Sequence, residues 1–273
     1  MSFQNMLRRA GRMGLRLMLT GGLIAGLALV AMPAKAADVD LEFTTPTNTD
    51  ASTVTVDIGT RRISVLIPPG TTAPQKRNLI RDAIRANQVP RFTVEDDGPT
   101  GLTIRFLTRG TRVVFSPGAT GEEKEDIVAG QILTGSIDWG TGQYNPTGAT
   151  GEPSRFTAGV ITDLGEAEVT LTAEELAALD GATIAAALFD ELLPEVAGLG
   201  VSLANLGGTL AFTFDRSLTV GGGVIFGTTA LSEGLSGSVV VDAPEPASLA
   251  LMGLGLAAAG LAARGRGRRT TRA

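Results

Sequence analysis

The 273-residue chain contains no cysteine and no histidine. Without cysteine it has no disulfide framework, no thiolate nucleophile and no thiolate-built zinc or iron–sulfur site. Without histidine it has no Ser-His-Asp triad, no His-carboxylate metal centre and no imidazole acid or base. Lysine is scarce as well, present only as Lys35, Lys76 and Lys124. Neither Lys76 nor Lys124 follows a serine by three residues, and no G-x-x-x-x-G-K-[ST] string occurs, so the Ser-x-x-Lys and P-loop chemistries are closed. Aromatic residues make up only 4%, with one Trp and one Tyr. The chemistry left to the chain is that of carboxylates, hydroxyls and arginines.

What is present is unevenly placed. The mean hydropathy is +0.21 with 19% charged residues, which points to apolar segments outside a soluble core. The net charge of −5 is a sum of unlike parts. Residues 1–36 carry five basic and no acidic side chains, and residues 244–273 carry Arg264, Arg266, Arg268, Arg269 and Arg272 against Glu245 alone. The intervening 37–243 holds thirteen basic and twenty-seven acidic side chains. A segment so acidic repels polyphosphate, so nucleic acid is excluded as a partner.

Arg8, Arg9, Arg12 and Arg16 form a positive region ahead of the uncharged, largely apolar run 17–32, and Ala34-Lys35-Ala36 is a small-x-small cleavage site. That order predicts a signal peptide over 1–36, removed by signal peptidase after Ala36. At the other end, 247–263 is an uncharged apolar run followed by arginines. As a helix it rises about 25 Å, short of a hydrocarbon core of about 30 Å and completed by arginines reaching the interface. The positive-inside rule keeps those arginines cytoplasmic and places 37–243 across the membrane.

Pro244, Glu245 and Pro246, then the Gly/Leu/Ala-rich span, then Arg264, Arg266, Arg268 and Arg269, resemble the PEP-CTERM sorting signal. The resemblance covers about the last thirty residues. It implies export by a Gram-negative bacterium, transient insertion in the inner membrane, and processing near the tripeptide by the membrane enzyme exosortase. It further implies release to the cell surface or extracellular matrix and association with exopolysaccharide and biofilm. The two prolines hold the backbone extended, in a form a protease can reach.

The acidic middle is predicted to be α+β, strand-rich and mostly antiparallel, with two helical segments. Period-two apolar spacing marks strands around 39–43, 54–58, 63–67, 92–95, 102–107, 112–115, 132–139, 210–214, 218–220, 224–226 and 238–241. Pro74 opens an amphipathic helix to Asn87, with Leu79, Ile80, Ala83 and Ile84 on one face and Lys76, Arg77, Arg81 and Arg85 on the other. The acidic run 122–130 is read as a short helix. Thr172 and Glu175 form a T-x-x-E capping box predicted to open a helix through Leu176, Leu179, Ile184 and Leu188, with Gly181 a break and Pro194 its end. The breaker-rich stretch 140–154 is a long loop or a boundary between two lobes, and no internal repeat is apparent.

No catalytic, cofactor-binding or metal-ligating residue is assigned. Glu95-Asp96-Asp97 and the acidic residues of 122–126 are read as solvated surface, with a two-carboxylate glycosidase and a calcium-dependent adhesin as the alternatives. Asp138-Trp139-Gly140-Thr141 loosely matches an aspartic-protease loop, with Asp57-Ile58-Gly59-Thr60 as a distorted partner. Trp139 and Tyr144 are either core or a platform for a sugar ring. The expectation is therefore a non-enzymatic, exported protein whose working residues are processing positions: Ala34, Ala36, Pro244, Glu245, Pro246 and the terminal arginines.

Overall fold

The computed structural model describes residues 37–43, 51–87, 92–117, 123–129, 132–148, 151–215, 217, 221–230 and 234–242. The expected signal peptide, the expected strand at 218–220 and the sorting segment lie outside them. Among the described residues no helix is long and apolar enough to cross a membrane.

Alternation of apolar and polar residues dominates the chain, and strands follow from it. The first half contributes β1 (Ala37–Phe43), β2 (Ser52–Ile58), β3 (Arg61–Ile67), helix α1 (Ala73–Ala86), β4 (Thr93–Asp97), β5 (Gly101–Leu107), β6 (Arg112–Ser116) and β7 (Glu123–Ala129). The second contributes β8 (Ile132–Asp138), β9 (Arg155–Thr162), β10 (Gly165–Thr172), α2 (Gly181–Glu195), β11 (Val201–Asn205), β12 (Thr209–Phe214), β13 (Gly222–Thr228) and β14 (Ser236–Val241). All pairings are antiparallel, in two seven-stranded sheets ordered β10-β9-β13-β7-β1-β5-β4 and β11-β12-β8-β14-β6-β2-β3. The inner faces meet in a single sandwich core, where Phe43 of one sheet lies 5.4 Å from Phe115 of the other, centroid to centroid.

The connectivity repeats. In the first half β1 pairs β5 and β7, β2 pairs β3 and β6, and β4 pairs β5. In the second half β8 pairs β12 and β14, β9 pairs β10 and β13, and β11 pairs β12. Every strand of the first half thus has its counterpart seven strands later, and the helices occupy matching places after β3 and β10. The two ladders that join the halves, β7 with β13 and β6 with β14, exchange with each other under the same correspondence. So do the two sheets, read in opposite order. The sandwich is a duplicated unit with pseudo-two-fold topology, a repeat the amino-acid sequence does not display. Phe115 on β6 and Phe226 on β13 touch across the two sheets, 6.5 Å apart.

The helices close the sides. α1 crosses from edge strand β3 of one sheet to edge strand β4 of the other, and α2 crosses from β10 to β11. Thr72 and Gln75 cap α1 reciprocally, Gln75 Oε1 accepting from Thr72 N at 2.9 Å. Ile80 and Ile84 are buried, as the periodicity predicts, and Arg77 and Arg81 pair outward with Asp96 at 3.8 and 2.9 Å. Lys76 departs from the expected solvated face. It lies one and two helical repeats of four before Ile80 and Ile84, so the helix buries its stem, and its ammonium stacks over Phe43 and Phe115 at 5.6 and 5.5 Å.

Two expectations about these elements are corrected. The acidic run read as a helix at 122–130 is β7, drawn into the sheet between β1 and β13, with Ile127 and Ala129 on the core face. The Thr172–Glu175 box caps only a single turn, Ala173–Glu175; the helix starts at Gly181, where Asp180 accepts from Thr183 N at 3.0 Å, and it passes Pro194 to Glu195. Gly181 is small because an added Cβ would lie 2.8 Å from Trp139 O. Strands from before and after 140–154 interleave in both sheets, and that stretch connects β8 to β9.

Candidate functional site

Antiparallel topology gives the sandwich two unlike poles. β1 begins and β14 ends at the same one. Ala37 pairs with Leu107 at the end of β5. Val241 accepts from Gly110 N at 2.9 Å and donates to Thr111 O at 3.0 Å, while Arg109 Nε lies 2.9 Å from Asp242 Oδ1. The connection from β5 to β6, residues 107–111, which passes from one sheet to the other, therefore holds both the first residue expected after signal-peptide cleavage and the residue that leads into the sorting segment. The Arg109-Gly110 turn is legible as turn chemistry, but its hold on residues 130 positions away is not. All nine processing positions, Ala34, Ala36, Pro244, Glu245, Pro246, Arg264, Arg266, Arg268 and Arg269, lie outside the described residues.

The long 139–154 loop sits at the opposite pole. It is not a ring platform. Trp139 and Tyr144 are buried, packed edge-on with Phe156 at 6.0 and 5.5 Å, and Tyr144 Oη donates to Trp139 O at 2.6 Å. The aspartic-protease pairing also fails: Asp57 ends β2 at the tethered pole, bound to Arg62 at 2.7 Å, whereas Asp138 ends β8 at the far one.

A further group of acids lies on β1 and β4, on either side of β5. Asp38, Asp40 and Glu42 alternate outward on β1, and each has a partner: Arg105 at 3.5 Å, Thr103 Oγ1 at 2.7 Å, and Thr100 Oγ1. Arg105 also binds Glu95 at 2.8 Å. Partial burial, opposed by the Thr103 hydrogen bond and aided by Asp97 and Asp38, raises the Asp40 carboxyl above its ordinary value. Among the described residues no three acidic side chains converge in a way that could hold a metal ion. An open groove of about 410 Å³ runs beside α1, lined by Pro69, Thr71, Gln75, Asn78, Leu79 and Asp82. Asp82 is its one carboxylate, and the Arg81 guanidinium, 2.9 Å away, holds it below the usual range.

The described domain is thus a β-sandwich with its ends gathered at one pole. Residues 242–269 match the PEP-CTERM protein-sorting motif. A motif of that kind implies an exported protein, held in the membrane by its sorting signal and processed by an exosortase to an extracellular form. No curated protein matches the chain. Among solved structures, the flagellar cap protein FliD from Helicobacter pylori shares 13% identity over 74% of this chain, at a TM-score of 0.25. This chain covers 58% of that one. The major capsid protein P2 from bacteriophage PM2 shares 11% identity over 79% of this chain and 91% of its own, at a TM-score of 0.16. Neither likeness is close enough to bear on the fold.

Proposed function

We propose that this is a non-enzymatic protein of the bacterial surface or extracellular matrix, associated with exopolysaccharide in biofilm. It is exported by a signal peptide cut by signal peptidase, then anchored briefly in the inner membrane and released by exosortase. The observation that carries the reading is the PEP-CTERM motif running on without a break from β14. The paired state of the outer-face acids favours a scaffold over a hydrolase, since each of Asp38, Asp40, Glu42 and Glu95 is already bound to a neighbour.

Mass spectrometry of the mature C-terminus, in cells with and without the sorting enzyme, tests the sorting. A C-terminus near Pro244–Pro246 only when the enzyme is present is expected; an intact arginine tail in both refutes it. A glycan array and a hydrolysis screen test the scaffold role. Binding of an acidic or neutral exopolysaccharide without turnover is expected, and turnover abolished by Glu95→Gln or Asp40→Asn overturns it.

A further inference from the structure

The tethered pole has its own surface chemistry. Phe106, next to last in β5, is 55% exposed and adopts φ = 66°. It is the one non-glycine among the described residues with a left-handed backbone. A bulky residue rarely takes that conformation, which costs free energy that the surrounding structure must supply. The cause is a bulge: the β1–β5 register slips between Ala37 and Val39, and the extra residue of β5 is forced out of the ladder. The result is a phenyl ring held in solvent beside the exit of both chain ends.

The same pole carries five exposed arginines. Arg61 and Arg62 open β3, Arg109 and Arg112 flank the β5–β6 turn, and Arg85 ends α1. Gly59 N donates to Arg112 O at 2.8 Å, tying the β2–β3 turn to the start of β6. Asp57 and Asp242 answer Arg62 and Arg109. Among the described residues Arg61, Arg85 and Arg112 form no ion pair: Arg85 and Arg112 donate only to Val94 O and Ser238 Oγ. The other side of the same pole, at the β9–β10 turn and the ends of β12 and α2, carries Asp163, Asp215 and Glu195 instead.

Covalent geometry says what this surface meets. From Asp242 to Ala247, the start of the apolar span, five residue steps reach at most about 17 Å when extended. Resting on the sorting assignment, we propose that the Phe106–arginine side of this pole docks on an anionic phospholipid surface while the chain is still anchored. Phe106 enters the interfacial layer, and Arg61, Arg85 and Arg112 lie at the level of the phosphates. The acidity of the domain as a whole works with this arrangement, because every other approach to an anionic bilayer is repelled.

The test uses the full chain reconstituted through its sorting segment into vesicles of phosphatidylethanolamine with phosphatidylglycerol. Phe106→Trp adds an emission to the constant signal of buried Trp139. That added emission is expected to be blue-shifted and quenched by spin-labelled lipid, and to lose the quenching in an Arg61→Ser/Arg112→Ser background. Because the chain has no cysteine, Thr108→Cys gives a second probe, two residues on in the β5–β6 connection, labelled with an environment-sensitive fluorophore and expected to report an apolar setting. Vesicle flotation separates the two levels. A chain that floats with its vesicles but leaves both probes in water overturns the docking and spares the anchoring. A chain that does not float overturns both.

Discussion

Gly237 is the point at which the packing is most exposed to a single methyl group. It lies on the core face of β14, between Phe115 on β6 and Ile137 on β8. A Cβ built there would stand 2.6 Å from Cζ of Phe226, and closer still to Cε1 and Cδ1. Ordinary contact needs about 3.4 Å or more, so in Gly237→Ala the near edge of the ring, at Cε1, must move by about 1.5 Å. It has nowhere to go, since Phe226 is fully buried and packs on Phe115. Overpacking of this kind costs about 1–3 kcal/mol. Replacing a strand glycine returns about 0.5–1 kcal/mol in backbone entropy. The net loss is roughly 1–2 kcal/mol, a fall in Tm on the order of 3–7 °C for a domain of this size. The decisive assay is a double-mutant cycle by thermal or urea unfolding, with Phe226→Leu as the second change. Leucine alone costs about 1–2 kcal/mol in lost packing, but it vacates the space alanine needs. The pair should therefore be coupled favourably by about 1 kcal/mol or more. Additivity within about 0.3 kcal/mol would show that Gly237 is not the socket of Phe226.

Two further outcomes are expected. Asp40 has a raised carboxyl, so the native state takes up its proton at a higher pH than the unfolded chain. Stability from this group is therefore recovered as pH falls toward the ordinary carboxylate value and is lost at neutral pH. Asp40→Asn should raise Tm at pH 7 and flatten that part of the pH profile, with no gain at pH 3, as calorimetry across pH would record. A circular permutant that begins at Ile132, with Asp242 joined to Ala37 by a short Gly/Ser linker, should unfold cooperatively and within about 5 °C of residues 37–242; loss of the near-ultraviolet signal of Trp139 would mean that the two ends are not neighbours at the β5–β6 connection.

Local features of the fold were legible where one periodicity ruled a segment. The alternation of Val54, Val56 and Ile58 with Ile63, Val65 and Ile67 marked β2 and β3, and Pro74 with the Ile80 and Ile84 stripe marked α1. β7 was hidden because the acidic residues at 123, 125 and 126 mask its period, and only its neighbours β1 and β13 make it a strand. Residue type misled at Lys76, whose spacing to Ile80 and Ile84 already placed it on the buried stripe. The helix start moved from Thr172 to Asp180 since two caps compete, and only the second is followed by a stripe that packs between β10 and β11. The sorting motif was readable because it is contiguous. The tethered pole was not, being assembled from the start of β1, an inter-sheet connection 70 residues later and the end of β14.

The duplicated topology bears on that pole in a further way. Two separate copies of such a half, paired as an isologous dimer, would present the same turns twice and would carry two anchors. One continuous chain escapes that constraint. After the turn between β2 and β3, β3 opens with Arg61 and Arg62, while its counterpart β10 opens with Gly165 and Glu166. The β5–β6 connection with Arg109 corresponds to the β12–β13 connection that begins at Asp215. Fusion lets a symmetric scaffold hold an asymmetric charge pattern and a single point of attachment, so that the sandwich has one orientation with respect to whatever holds its C-terminal end.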